Sequence, residues 1–262
     1  MKRINGHFIS PVPAFRKIAM GAWGHPTDPS IYAATTINTT AIHQYIRLLS
    51  ETGIRMTLYQ VLIAALSRTL SHYPELNRCI IRGSLYQRDS VGIFIPVPLK
   101  SHGGDDLFGC RISNAHSMDP GSLVSHMKQA IRSLHHQTDR PINRIKAALS
   151  WCPQWLSRPL IFCLNLIYHT ANLTIPGLPD DRFGSVIFSD LSAFGFESAF
   201  IPLFPFSRAS LSVSLGTEKH VDHDWFCTLS FTADHRVFDG RIAGKAYRYF
   251  LKLIATPDLI FD

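Results

Sequence analysis

Apolar residues along the chain fall into two spacings, one that suits strands and one that suits helices. Tyr32 to Asn38 is a β-rich run, and Thr39 and Thr40 follow it as candidate N-caps for a helix over Ala41 to Glu51. Thr57 precedes LYQVLIAALSRTLSHY, in which Leu58, Val61, Leu62, Ala65, Leu66 and Leu70 recur at intervals of three and four. Such a stripe lies on one helix face and predicts a helix turned towards the core. After Pro74 the short segments Arg78 to Arg82, Ser84 to Arg88 and Val91 to Pro96 are separated by Gly83 and Asp89 and read as a meander, with Gly83 at a turn. Ser122 to His136 is helix-like. Strands are expected at Ser185 to Ser189, Ala209 to Leu215 and Trp225 to Thr232, and a closing helix at Arg241 to Ala255. No internal repeat and no Gly/Ser or Ala/Pro linker interrupts the pattern, so residues 1–262 are expected to form one domain.

The most hydrophobic stretch, Leu160 to Leu173, is shorter than the roughly 20 residues a membrane helix needs, and it carries Asn165, His169 and Asn172. It is not expected to span a bilayer. Pro153 and Pro159 upstream suggest two short helices meeting at a proline break. The region about 140–179 reads as a hydrophobic insert: a buried cap on the core, a lid over a pocket, or a membrane-surface contact.

With 46% hydrophobic and 17% charged residues, the chain has ample core material and is globular. Its net charge of +7 admits an anionic ligand, but the lysines and arginines are scattered singly or in pairs, which argues against nucleic acid. The five cysteines include no CxxC pair and read as reduced thiols, without a metal cluster. MKRINGHFISPVPAF lacks the apolar centre of a secretory leader, so a cytoplasmic protein is expected. His220 and His223 fall in an expected hairpin and give no closed ligand set, so no metal site is expected.

The stretch most suited to chemistry is CTLSFTADHRVFDG, Cys227 to Gly240, where a strand ends and His235 and Asp239 stand four apart before a helix. By residue type alone such a pair is more often a structural ion pair than a catalytic one. The whole pattern, with the closing helix RIAGKAYRYFLKLIATPDLIF, resembles the active-site signature of the dihydrolipoyl acyltransferase catalytic domain of 2-oxo acid dehydrogenase complexes, and likewise chloramphenicol acetyltransferase. Phe15-Arg16-Lys17, the Tyr32 to Ile42 step, Tyr73-Pro74-Glu75-Leu76-Asn77 and SVIFSDLSAFG at Ser185 to Gly195 are similar to that family in order and spacing.

The resemblance implies an α+β fold, a two-layer sandwich of the chloramphenicol acetyltransferase type with a mixed sheet and packed helices. It implies a homotrimer with its sites between subunits, and transfer of an acyl group from a thioester to an acceptor. Coenzyme A or acyl-CoA would be a substrate, or else a lipoyl group on a separate lipoyl- or acyl-carrier protein. His235 would be the general base and Ser189 the oxyanion donor. Asp239 would organise the site, paired with Arg16, and Gly240 would allow a tight turn into the last helix. The sequence departs from the family in having no lipoyl or subunit-binding domain, in having Asp190 where asparagine is usual, and in the insert. Other readings are a non-catalytic scaffold or assembly protein retaining the fold, and an acetyltransferase of a small hydroxylated compound.

Overall fold

The computed structural model describes residues 6–12, 28–101, 104–136, 181–204 and 207–262, with isolated positions between 153 and 173. Two sheets and four α-helices are found among the described residues. The smaller sheet has the order β1 (Gly6–Phe8), β4 (Ser84–Arg88), β3 (Arg78–Ile81). The larger runs β2 (Ser30–Asn38), β10 (Asp224–Asp234), β8 (Leu211–Leu215), β7 (Val186–Asp190), β5 (Gly92–Ser101), β6 (Gly104–Ser113), with β9 (Lys219–Val221) paired to β10. It is mixed: β7 is parallel to β5 and β8, and the other pairs are antiparallel.

The helices are α1 (Thr40–Glu51), α2 (Leu58–His72), α3 (Pro120–His136) and α4 (Gly240–Ala255). Thr57 caps α2 through a capping box: its hydroxyl accepts from the Gln60 N–H, and the Gln60 side chain accepts from the Thr57 N–H. The stripe expected in α2 is buried, but so are Ile63 and Ala64 off the stripe. The reason is its central position, packed against α4 and sharing one core with Phe188, Val213 and Leu229 of the sheet. Burying each such leucine or valine contributes about 1.5–3 kcal/mol. At α1 the N-cap position is Thr39, yet its hydroxyl donates to Glu218, and the Asn38 side chain accepts the Thr40 N–H instead.

The expected meander is corrected. β3 and β4 form a hairpin through Gly83, whereas β5 leaves for the large sheet and pairs with β6, a strand the sequence pattern did not suggest. The insert lies for the most part outside the described residues, and of its positions Phe162 and Leu166 are exposed.

The two faces of the large sheet differ. Val186 and Phe188 enter the main core, while Ile187 packs with Phe94, Ala209 and Phe183 on the other face. Alternation therefore puts Ser189 on that second face, with Ser214 opposite it in the adjacent strand.

The entry to β7 is tightly held. Gly184 adopts φ +60°, and a Cβ there would lie 2.5 Å from the Gly92 carbonyl oxygen, so only glycine fits. The Ser185 N–H donates to the Gly92 carbonyl at 2.8 Å, and its hydroxyl donates to the buried Asn77 side chain. Just before it, Asp181 is gripped by Arg88 at 3.3 Å and Arg111 at 3.0 Å.

Candidate functional site

His235 follows the last residue of β10. Its N–H donates to the Pro29 carbonyl at 3.1 Å, and its Nδ1 lies 3.2 Å from the Phe238 carbonyl oxygen. A carbonyl only accepts, so Nδ1 carries the proton and the lone pair of the neutral ring is on Nε2. The turn that sets this geometry is anchored by Val237 and Phe238, 1% and 2% exposed in the core. It is closed by the Val237 N–H donating to the Asp234 carbonyl at 3.0 Å.

Asp234 and Arg236 stabilise the same turn and were assigned no role from the sequence. The Asp234 carboxylate accepts from the Arg236 N–H and Nε at 3.0 Å and from its Nη2 at 2.9 Å. The signal was present as an acid followed two residues later by a potential donor, the pattern of an Asx turn.

Asp239 is the N-cap of α4. Its Oδ1 accepts the Ile242 N–H at 3.0 Å, placing negative charge at the positive end of the helix. Arg16, its expected partner, lies outside the described residues. The reading of Gly240 is corrected: it takes no left-handed conformation, and a Cβ there would meet nothing within 4 Å, so the turn does not require glycine.

Ser189 is half-buried near the end of β7. The carbonyl before it, that of Phe188, accepts from the Tyr59 hydroxyl at 2.5 Å, and the two rings lie 4.7 Å apart. Burial, reinforced by Asp190, holds the Tyr59 phenol well above its ordinary pKa, so it remains a donor. Asp190 accepts from the Ser192 N–H at 3.0 Å and from its hydroxyl at 2.5 Å, which starts the turn that follows the strand.

Strand register places these two groups far apart. Ser189 is opposite Ser214, which is opposite Ser230, and His235 lies five residues further along β10. At about 3.3 Å per residue this is roughly 17 Å along the sheet, so Ser189 and His235 of one chain stand at opposite ends.

His43 Nε2 lies 2.7 Å from Glu218, and His220 and His223 belong to the β9–β10 hairpin as expected. Among the described residues no group of three metal-ligating side chains is close enough to hold a metal ion, and no helix is long and apolar enough to cross a membrane.

No protein-family model and no curated protein matches the chain. Solved structures do. A probable dihydrolipoamide acetyltransferase from Listeria monocytogenes is similar at 14% identity and TM-score 0.60, over 95% of this chain and 94% of that one. Chloramphenicol acetyltransferase is similar at 13% identity and TM-score 0.62, over 98% and 100%. This chain has the acyltransferase fold of these enzymes. The dihydrolipoamide acetyltransferase of Azotobacter vinelandii, 16% identical with TM-score 0.61 over 96% and 93%, was solved to investigate the role of a serine, a histidine and an asparagine in its catalytic mechanism. The α+β sandwich with a mixed sheet, expected from the resemblance, is therefore the fold found.

Proposed function

We propose that this protein transfers an acyl group between a thioester, acyl-coenzyme A or an acyl-lipoyl group on a separate carrier protein, and an acceptor. The observation that carries the reading is the His235 turn: on an acyltransferase fold, a strand-end histidine has its Nδ1 proton committed to the Phe238 carbonyl, leaving Nε2 as the basic nitrogen. In the Azotobacter enzyme the histidine and asparagine under study are four residues apart, as His235 and Asp239 are here.

His235 Nε2 takes the proton of the attacking thiol, hydroxyl or amine as its lone pair forms a bond to the thioester carbonyl carbon. The carbonyl oxygen becomes an oxyanion, and the Ser189 hydroxyl donates to it. On collapse the carbon–sulfur bond breaks and the histidine returns the proton to the leaving thiolate. Asp239 acts by starting α4 and thereby fixing the turn that holds Phe238.

A site of this kind needs Ser189 from one subunit and His235 from another, because about 17 Å separates them along the sheet of one chain. The homotrimer is proposed on that ground. Exposed Phe194, Phe196, Phe200 and Phe204, on the segment after Ser189, supply an apolar surface for such a contact.

The test is release of free thiol from a panel of acyl-coenzyme A species. His235→Ala should lower turnover by about 10² to 10⁴ while the protein stays folded. Near-wild-type turnover in that folded variant would remove His235 from the chemistry.

A further inference from the structure

A cavity of about 390 Å³ lies between β2, β10, α2 and α4, within the range of small-molecule sites. Its walls are almost wholly hydrocarbon. The three lining side chains with hydroxyl groups are engaged within the protein: Thr35 and Tyr247 are bonded to each other at 2.6 Å, and Thr69 donates to the Ala65 carbonyl at 2.8 Å. These side chains do not call for a polar ligand, and apolar cavities of this kind take up hydrocarbon.

Its position gives the cavity a direction. Ala233 and Phe238, two of its lining residues, flank His235, and Phe238 supplies the carbonyl that orients the imidazole. From there the cavity follows one face of α4, from Ala243 through Ala246 and Tyr247 to Phe250. Seven residues of helix rise about 10 Å, so the lining runs for that distance along α4 away from the His235 turn.

We infer that this cavity receives the hydrocarbon tail of an acyl group whose carbonyl lies at His235, making a medium-length, unbranched fatty acyl chain the transferred group. The inference rests on the acyltransferase reading for the chemistry, but chain binding can be measured without it. Each methylene moved from water into such a cavity favours the ligand about fourfold until the cavity is full.

The test variant is Gly244→Leu. Gly244 lines the cavity, lies within α4, and a Cβ there would meet nothing within 4 Å, so a larger side chain enters the space without backbone strain. Leucine is also a better helix former than glycine, and thermal unfolding checks that the variant is intact.

Two measurements are made on the whole protein: calorimetric binding of octanoate, and kcat/KM for acetyl-, butyryl-, hexanoyl- and octanoyl-coenzyme A. The expected results are octanoate binding that Gly244→Leu abolishes, a wild-type preference rising about fourfold per methylene, and an octanoyl-to-acetyl ratio at least tenfold lower in the folded variant. Octanoate binding lost in the variant, with no thioester turned over, would support the cavity assignment and refute acyl-coenzyme A as the donor. Turnover with no chain-length preference and no octanoate binding would overturn the cavity assignment and leave the acyltransferase reading standing. Binding unchanged in a folded Gly244→Leu protein would also overturn it.

Discussion

Co-expression of His235→Ala and Ser189→Ala chains should rebuild activity from two nearly inactive proteins. The register makes this a sharp test, since Ser189 and Ser230 lie in line across β7, β8 and β10 while His235 is five residues beyond Ser230. The resulting separation, roughly 17 Å along the strands, exceeds any hydrogen-bonded reach, so a working site draws the two residues from different chains. In a closed ring each chain lends its histidine to one site and its serine to another. With chains assorting at random, a site is whole when its histidine donor is the serine mutant and its serine donor is the histidine mutant. The probability is one-half times one-half, about a quarter of sites. The parents should retain about one part in 10² or less, given the usual cost of losing a general base or an oxyanion donor. The mixture should therefore exceed either parent at least about 25-fold in a thiol-release assay on assemblies shown by mass spectrometry to contain both chains. A verified mixture as inactive as its parents would refute the shared site.

Other perturbations probe the supports of the site. Asp181→Ala leaves the Arg88 guanidinium, 1% exposed, without its carboxylate; breaking a buried pair costs about 3–5 kcal/mol, which should appear as a large drop in urea midpoint. Asp239→Ala should cost about 0.5–2 kcal/mol by loss of the α4 cap, and Asp239→Asn much less. An asparagine variant that keeps its stability but loses turnover as fully as His235→Ala would instead place the carboxylate in the chemistry. Burial, then Arg68, lowers the His116 pKa below its ordinary 6.5, so the folded state disfavours the protonated ring. Its contribution to stability is complete above about pH 6.5 and is lost as the pH falls from there through the lowered folded value. Urea midpoints between pH 7.5 and 5.5 should fall less steeply in His116→Asn than in wild type, and equal slopes would contradict the assignment.

Where local chemistry decided the structure, the sequence was readable. Thr57 with Gln60 marks the start of α2, and the β-rich run into His235, Asp239 and the last helix occurs where expected. β6 was not readable: GDDLFGCRIS carries two acidic residues and two glycines, and it is a strand because β5 presents ten residues to pair with it. The third strand of the expected meander fails for a related reason. β5 has the right composition, but which sheet it joins is decided by its contact with β7, nearly a hundred residues later. The spacing of 46 between Ser189 and His235 says nothing about distance, since β10 runs antiparallel to β8 and carries the histidine to the far end of the sheet. Gly240 shows the converse error, a glycine read as a conformational need where the backbone makes none.

The contact of Gly184 with Gly92 has a consequence for how this chain can change. A Cβ at position 184 would press on the Gly92 carbonyl, and the anchors on either side, Asp181 between two arginines and Ser185 on Gly92 and Asn77, hold the start of β7 in place. The register of β7, and with it the placement of Ser189, is set just after these anchors by pairing with β5 and β8. A substitution at Gly184 is thus felt at Ser189, five residues further on, without any change to the serine itself.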